Sequence, residues 1–198
     1  PGAFPGDVLQ VEITSIKKNF ARGRVVERRK AASLREQPSC LYAGRCGGCQ
    51  LQGMRYEGQL KLKEKWVRDR LAHIGGVEDP LVRPILGMEE PIRYRNKAFF
   101  PVGRLQGSEK KERGCSVGFY QAKSMQVVNC DTCMLQEETA ERVAEVIRCY
   151  VKQTKIPIFD KETGTGVLRG VMVRTAFGTG QVMVILVATE RRLPMVEW

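Results

Sequence analysis

Three closely spaced cysteines are the residues of this sequence with the clearest potential for chemistry. Cys40, Cys46 and Cys49 follow a C-x5-C-x2-C spacing, and Gly47 and Gly48 lie between the last two. A C-x-x-C turn lets two thiolates reach one metal centre, and glycines permit backbone conformations that leave amide N–H groups available to cluster sulfurs. The spacing alone leaves two options open, a zinc ion and a four-iron cluster.

A fourth thiolate has to come from elsewhere in the chain. Cys130 and Cys133 are the leading candidates, because they lie together between a predicted hairpin and a predicted helix. Cys115 at a strand start and Cys149 within that helix suit the role less, and Cys149 is interpreted as an inert thiol. Seven cysteines without a secretion signal favour metal ligation or free thiols over a disulfide framework. Since His73 is the single histidine, thiolates must supply most of any metal site.

The composition excludes a membrane protein and points to an anionic partner. The chain has 198 residues, of which 42% are hydrophobic and 28% charged, as in soluble globular proteins. No leader pattern and no apolar run of roughly 20 residues is present, so we expect a cytoplasmic protein. A net charge of +11 and a pI near 9.5 favour nucleic acid as the partner.

Periodicity predicts an α+β protein with antiparallel sheet and covering helices. The unbroken apolar run at 182–188 predicts a central strand. The glycine-rich phrases at 164–166 and 178–180 stand before a strand and between strands, which is turn chemistry and not the context of a nucleotide-binding turn. The predicted strands are 7–17, 20–28, 81–86, 92–103, 115–120, 124–128, 167–176 and 181–189, and the predicted helices are 54–74 and 135–152.

Two basic segments are candidate RNA contacts. On a strand over 92–103, Arg93, Arg95 and Lys97 would share one face, so that three cations could follow a phosphate backbone. The other segment runs from 17 to 35 on predicted barrel strands, and its one acidic residue is Glu27. Basic surfaces of OB-like barrels bind single-stranded nucleic acid, although most runs of charge are simply faces exposed to solvent. Its cations are Lys17, Lys18, Arg22, Arg24, Arg28, Arg29, Lys30 and Arg35.

The cysteine phrase CLYAGRCGGCQLQ, from Cys40 to Gln52, resembles the cluster-binding segment of bacterial RNA (uracil-5-)-methyltransferases that modify 23S rRNA. The stretch from Pro1 to Val26 is similar to the second half of a TRAM domain, an OB-like barrel. Tyr94 to Ala98 and Leu168 to Arg174 resemble phrases of the central domain of these enzymes. The resemblance covers essentially the whole chain.

The resemblance implies a ligand set, cofactors and a partner. Its four ligands would be Cys40, Cys46, Cys49 and Cys133, because the family's fourth ligand precedes an apolar-Gln phrase like the one from Cys133 to Gln136. Cys130 remains a neighbour that could compete. The cofactors would be a [4Fe-4S] cluster and S-adenosylmethionine, and the partner RNA, with 23S rRNA as the leading expectation and no membrane. We expect a monomer.

The resemblance also implies a division of the chain. The C-terminal half of a TRAM barrel would occupy 1–35, the cluster loop and a helix 36–78, and a central α+β RNA-binding domain 79–198. We expect a fragment that begins at Pro1 and stops at Trp198, before the domain that binds S-adenosylmethionine and holds the catalytic cysteine and base. No catalytic residue is therefore expected here. A tRNA enzyme of the same family and a non-catalytic, zinc-bound RNA-binding module are the alternatives.

Overall fold

The computed structural model of the chain describes residues 2–78, 81–105 and 114–195. Pro1 and Trp198, the expected ends of a fragment, lie outside these residues. The chain forms two compact units that alternate along the sequence. Unit 1 comprises Pro1–Leu41 and Cys49–Glu89, and unit 2 comprises Tyr42–Gly48 and Glu90–Trp198. The predicted cysteine segment is thus shared, because Cys46 belongs to unit 2 whereas Cys40 and Cys49 belong to unit 1.

Unit 1 contains a β-hairpin and a helix. Strands β1 (Val8–Ile16) and β2 (Ala21–Lys30) pair antiparallel, and Lys17 N donates to Phe20 O at 2.8 Å to close the turn. Helix α1 spans Tyr56–His73. All three elements were predicted within a few residues of their bounds.

An ion pair fixes the segment that follows the hairpin. The Asp7 carboxylate has no solvent exposure, and it accepts hydrogen bonds from Phe4 N at 2.7 Å and Ala32 N at 2.9 Å and two from the Arg35 guanidinium. The hydrogen bond from Arg35 is the main reason that the pKa of Asp7 lies well below its usual range. Arg35 also lies over the Phe4 ring at 4.3 Å and forms a backbone bridge with the buried Met54.

Unit 2 is a five-stranded antiparallel sheet with one helix packed on it. The strand order is β5-β4-β3-β6-β7, and helix α2 contacts β4 and β6. The apolar stripe of α2, Ala140, Ala144, Ile147 and Val151, packs into the core with alternate residues of the strands. The bounds are β3 Lys97–Arg104, β4 Cys115–Tyr120, β5 Val127–Asn129, α2 Glu138–Thr154, β6 Leu168–Thr175 and β7 Val182–Ala188. The predicted α+β class is confirmed.

One strand prediction was wrong, and two others were right about the strand but wrong about its start or its place in the sheet. Residues 81–86, all described, form no strand. Side chains of α1 hydrogen-bond to their backbone instead: Arg68 donates to Val82 O, and Glu64 accepts from Ile85 N. β3 begins at Lys97 and not at 92, because Arg93 adopts a left-handed φ of 53° that no strand accommodates. The apolar β7 is an edge strand of the described sheet rather than a central one, and its first four residues are exposed.

Neither helix of the described residues is both long and apolar enough to cross a lipid bilayer.

Candidate functional site: the cysteine loop and the open face of the sheet

The cysteine loop, residues 42–48, lies against the turn that follows β4. Gly47 N donates to Tyr120 O at 2.9 Å. A Cβ atom on Gly47 would stand 2.9 Å from that oxygen and 2.9 Å from Ala122 N, both backbone atoms. Glycine is therefore required at position 47 by close backbone approach, a reason different from the conformational freedom that the sequence suggested.

Two further contacts attach the loop. Cys46 forms an antiparallel bridge with Gln121, in the same turn. Tyr42 Oη accepts a hydrogen bond from Asp131 N at 3.0 Å, next to Cys130. Burial is the main reason that the pKa of Tyr42 is raised, so the phenol stays protonated. The loop is thereby held on both sides of the Cys46 side chain.

The Cys46 sulfur lies beside Cys130, the thiol of which donates to Val128 O at 3.3 Å. Gly48 N donates to the Cys46 sulfur at 3.4 Å, and the Cys130 thiol and the Arg95 charge act on the same sulfur. These contacts, the Cys130 bond first, lower the pKa of Cys46 to about 6, although burial opposes them. The same bond, together with burial, raises the pKa of Cys130. The surroundings of Cys46 thus favour the thiolate form of its side chain.

Cys133 occupies a turn that is held by an ion pair. Its backbone N–H donates to Glu141 Oε1 at 2.6 Å, and the Arg93 guanidinium donates to that carboxylate as well. Arg93 also donates to the carbonyl oxygens of Cys133 and Gln136, each at 3.0 Å. The Cys133 side chain is half-buried and lies within electrostatic range of Cys130. Arg93, predicted as a phosphate-binding cation, therefore fixes the Cys133 turn.

Arg148 supports the backbone of Cys130, a role that the sequence did not reveal. Its guanidinium, on α2, donates to Cys130 O at 2.7 Å, Val117 O at 2.9 Å and Asn129 Oδ1 at 3.0 Å. Its side chain is only 13% exposed. Arg148 thus fixes the end of β5 and the backbone of Cys130. Only its place beside the apolar stripe of α2 could have signalled this role.

The remaining predicted ligands, Cys40 and Cys49, lie in unit 1. Both are half-buried, and Gln52 Nε2 donates to the Cys49 sulfur at 3.5 Å, which is the kind of bond that supports a ligating thiolate. Within residues 2–78, 81–105 and 114–195, no three His, Cys, Asp or Glu side chains lie close enough together to hold a metal ion. The four-cysteine ligand set stays a prediction.

The predicted RNA-binding cations differ in what they contact. Arg24 pairs with Glu12 at 2.6 Å and Arg22 lies over the Phe20 ring, but both remain exposed. Lys17, Lys18, Arg95 and Lys97 are exposed, whereas Arg93 and Arg35 are engaged in ion pairs within their own units. The structure therefore distinguishes cations that are available to a ligand from cations that hold the fold together.

The sheet face opposite α2 carries aromatic and basic side chains that were not among the predicted RNA contacts. An open cavity of about 670 Å³ is lined by Phe99, Tyr120, Arg104 and Arg169, among others. Arg169 lies over the Phe159 ring at 4.3 Å. Phe99 and Tyr120 are 43% and 38% exposed, so both rings are accessible for stacking. Flat aromatic and guanidinium groups beside positive charge suit unpaired nucleotides.

Sequence comparison identifies relatives over nearly the whole chain. No family model matches it. A Clostridium tetani protein named as an uncharacterized RNA methyltransferase is 37% identical over 193 residues, which are 98% of this chain and 40% of that protein. A protein of the same description from Halalkalibacterium halodurans is 39% identical over 194 residues, 98% of this chain and 41% of that protein. The chain is similar to RNA methyltransferases. It spans about 40% of the length of these curated relatives.

A solved structure shares the fold. The Pyrococcus abyssi tRNA (uracil-54, C5)-methyltransferase, crystallised with S-adenosyl-L-homocysteine, matches with a TM-score of 0.67 over 96% of this chain and 41% of that one. The identity is 23%, so the likeness concerns the fold alone. It agrees with the α+β architecture described above.

Proposed function

We propose that this chain is the RNA-binding and cluster-binding portion of an S-adenosylmethionine-dependent methyltransferase that forms 5-methyluridine in 23S rRNA. The observation that carries the proposal is the attachment of the loop that holds Cys46 to the Cys130–Cys133 segment, more than 80 positions away in the sequence, through the hydrogen bond from Asp131 N to Tyr42 Oη at 3.0 Å. It is supported by the similarity of the chain to RNA methyltransferases. The protein is proposed to be cytoplasmic and monomeric.

All four proposed ligands are thiols, the donor type that iron–sulfur clusters take, although in the described residues no three of them meet around one point. Cys40, Cys46, Cys49 and Cys133 would hold the cluster, and Cys46 already has the thiolate character and the N–H donor that such a ligand needs. The cluster would stabilise the folded chain, because it would crosslink the cysteine loop to a segment far downstream in the sequence. The chain's own residues do the positioning: Gly47 sets the loop, while Arg93 and Glu141 set the Cys133 turn.

RNA would bind through exposed cations and the open face of the sheet. Lys97 at the start of β3 is proposed to contact phosphates, and so are the exposed cations of the hairpin, Lys17, Lys18, Arg22 and Arg24. Unpaired bases would stack in the cavity lined by Tyr120 and Arg169. Arg95 is exposed and lies close enough to Cys46 for its charge to act on that sulfur.

The proposed RNA site is tested by binding measurements on the intact chain. Fluorescence anisotropy at several salt concentrations would compare 23S rRNA segments with tRNA transcripts. We expect tighter binding to 23S rRNA segments, and Tyr120→Ala and Arg169→Ala should each weaken it by about 5- to 20-fold. Lys152→Ala, on the exposed side of α2, is the matched control and should bind normally. Equal losses of affinity in all three variants would contradict the proposed RNA site. Tighter binding to tRNA than to 23S rRNA segments would make tRNA the proposed substrate instead.

Methyl transfer itself is assigned to no residue of this chain. The glycine-rich phrases at 164–166 and 178–180 both lie outside helices and strands. The second forms the turn between β6 and β7, which Gly180 N closes by donating to Ala176 O at 2.8 Å. We therefore expect the purified chain to bind RNA without transferring methyl groups from labelled S-adenosylmethionine. Sustained turnover by the purified chain would refute this assignment.

A further inference from the structure

We propose that the sheet face opposite α2 binds single-stranded RNA, with the Phe99 ring stacked on one unpaired base and with Lys97 and Arg174 together holding the phosphate beside it. This inference rests on the proposed function, because it takes RNA as the partner of the chain. It adds Arg174 to the residues that contact RNA, lets two cations share one phosphate, and names unpaired RNA as the class of ligand at this face.

Alternation along two neighbouring strands places these side chains on the open face. Lys97 and Phe99 belong to β3, and Arg174 belongs to β6. Successive side chains of a strand lie on opposite faces of a sheet. The residues that alternate with these three are buried in the core that α2 covers, so the three lie on the other face. The buried residues are Ala98, Phe100, Val171 and Val173.

Lys97 and Arg174 are an unusual pair because they carry the same charge at directly opposed positions. They are register partners in the β3–β6 ladder, so their Cα atoms lie about 5 Å apart. Like charges in such positions destabilise a sheet. Both side chains are exposed, and neither forms an ion pair or a hydrogen bond with the residues that the structure describes. An anion between them would replace repulsion with attraction.

The surroundings of the pair also suit an anion. A cavity of about 610 Å³ is lined by both cations and by two residues with side-chain amides, Asn96 and Gln181. Amide N–H groups donate to phosphate oxygens as cations do. None of the described residues that line this cavity is acidic, whereas Asp160 and Glu162 line the larger cavity on the same face. The phosphate is therefore assigned to the cavity beside the cation pair.

Phe99 offers a stacking surface next to this cavity. It follows Lys97 by two residues, which is about 7 Å along the strand and within the span of one nucleotide. Its ring extends over Gly170 of β6, where a Cβ atom would stand 2.8 Å from Phe99 Cζ. The sheet thus supports the ring, and the residue is still 43% exposed. Because Phe99 also lines the larger cavity with Tyr120, it connects the two cavities.

Unpaired nucleotides fit this arrangement and paired nucleotides do not. Inside a duplex, neighbouring bases cover both faces of each base, and the deep, narrow major groove of A-form RNA does not admit side chains. Stacking on an aromatic ring therefore requires bases that are splayed out of a helix. The face offers two accessible rings, Phe99 and Tyr120, in line with the two or three bases that a sheet with exposed aromatic residues stacks.

Fluorescence anisotropy of the intact chain tests the class of RNA and the stacking. The probes are a labelled single-stranded oligouridylate and a fully paired hairpin of the same length. Wild type should bind the single strand at least about tenfold more tightly. Phe99→Leu keeps an apolar side chain over Gly170 but removes the ring, and it should weaken single-strand binding by about 5-fold or more. Phe99→Tyr, which keeps a ring, should bind like wild type.

A double-mutant cycle tests the shared phosphate. Lys97→Gln and Arg174→Gln should each weaken single-strand binding by about 5-fold, and the combined variant should lose little more. Its salt slope should fall by about one and not by two, because one phosphate contact is lost. The melting temperature should not fall, since each change removes a like-charge contact. Arg142→Gln, exposed on α2, is the matched control and should bind normally.

The outcomes separate this inference from the proposed function. Failure of wild type to bind either RNA would overturn both. Equal affinity for the two RNAs, or unchanged single-strand binding in Phe99→Leu and Arg174→Gln, would overturn this inference alone. Additive losses with a slope lowered by about two would overturn the shared phosphate. If inorganic phosphate at constant ionic strength stabilises wild type but not the combined variant, and RNA binding is the same in both, the pair binds a free anion and the RNA site is overturned.

Discussion

The cysteine loop and the basic hairpin use their predicted residues in opposite ways. In the loop, Cys46 is fixed by a bridge, by an N–H donor and by a second sulfur. In the hairpin, Lys17 and Lys18 are exposed at a turn, and Arg24 has only a surface pair with Glu12. The difference shows that contacts within unit 2 fix the loop, whereas the cations of the hairpin have few contacts that fix their side chains. The following variants should break or sharpen this contrast.

The largest effect is expected from the glycine that lets the loop approach the turn between β4 and β5. Gly47→Ala should destabilise the chain by about 3 kcal/mol and reduce iron content, because the new Cβ meets two backbone atoms at 2.9 Å. Gly48→Ala is the matched control, since its Cβ would meet only the Cys46 sulfur at 3.4 Å. Urea unfolding and iron analysis measure both effects. Equal behaviour of the two variants would show that the loop does not depend on this approach.

The second effect concerns the ion pair that anchors the hairpin segment. Asp7→Asn should lower the melting temperature by several degrees, because the amide cannot accept all the hydrogen bonds that the buried carboxylate accepts. Asp69→Asn, which breaks an exposed pair with Lys65, should change it by no more than about 2 °C.

The same pair predicts a pH dependence. The folded pKa of Asp7 is depressed, so its stabilisation is fully present above the unfolded pKa of about 3.9 and is lost as pH falls from there through the folded pKa. Melting curves between pH 7 and pH 2 should therefore lose stability below about pH 4 in wild type, and less steeply in Asp7→Asn. Parallel curves for the two proteins would contradict the assignment.

The third effect separates a cation that holds the fold from one that is available to RNA. Arg93→Ala should cost about 2 kcal/mol and make iron more labile, because it removes the charge partner of Glu141 and one hydrogen-bond donor from each of two carbonyl groups. Lys97→Ala should leave stability unchanged, weaken RNA binding and reduce the salt slope by about one. Unfolding and salt-dependent binding of both variants measure this. A stable Arg93→Ala with impaired RNA binding would restore the phosphate-binding role predicted from the sequence.

The smallest effect is expected at the hairpin turn. Lys17→Ala combined with Lys18→Ala should reduce the salt slope of RNA binding by about two and leave the melting temperature within about 1 °C. Anisotropy titrations at several salt concentrations provide the slope. An unchanged slope would indicate that the hairpin does not contact RNA.

Much of the fold could be predicted because its signals are local. The amphipathic stripe of α2 and the alternation in β1 and β2 follow from residue spacing alone. Positions in the sheet could not be predicted in the same way. An apolar run such as β7 does not tell an edge strand from a central one, since neighbouring strands decide that.

The candidate site shows the same limit. The spacing of Cys40, Cys46 and Cys49 and the choice between Cys130 and Cys133 were visible in the sequence, and the structure places Cys46 against Cys130. The roles of Arg93 and Arg148 were not visible. Both depend on carbonyl oxygens that tertiary folding brings together, and no local pattern marks such acceptors.

The proposed cluster is tested most directly by iron, sulfide and zinc analysis of anaerobically purified wild type, Cys133→Ser and Cys149→Ser. We predict about four irons and four sulfides per chain in wild type and in Cys149→Ser, whose thiol is exposed on α2, and a clear loss in Cys133→Ser. Zinc without sulfide in wild type, or full iron in Cys133→Ser, would contradict the account.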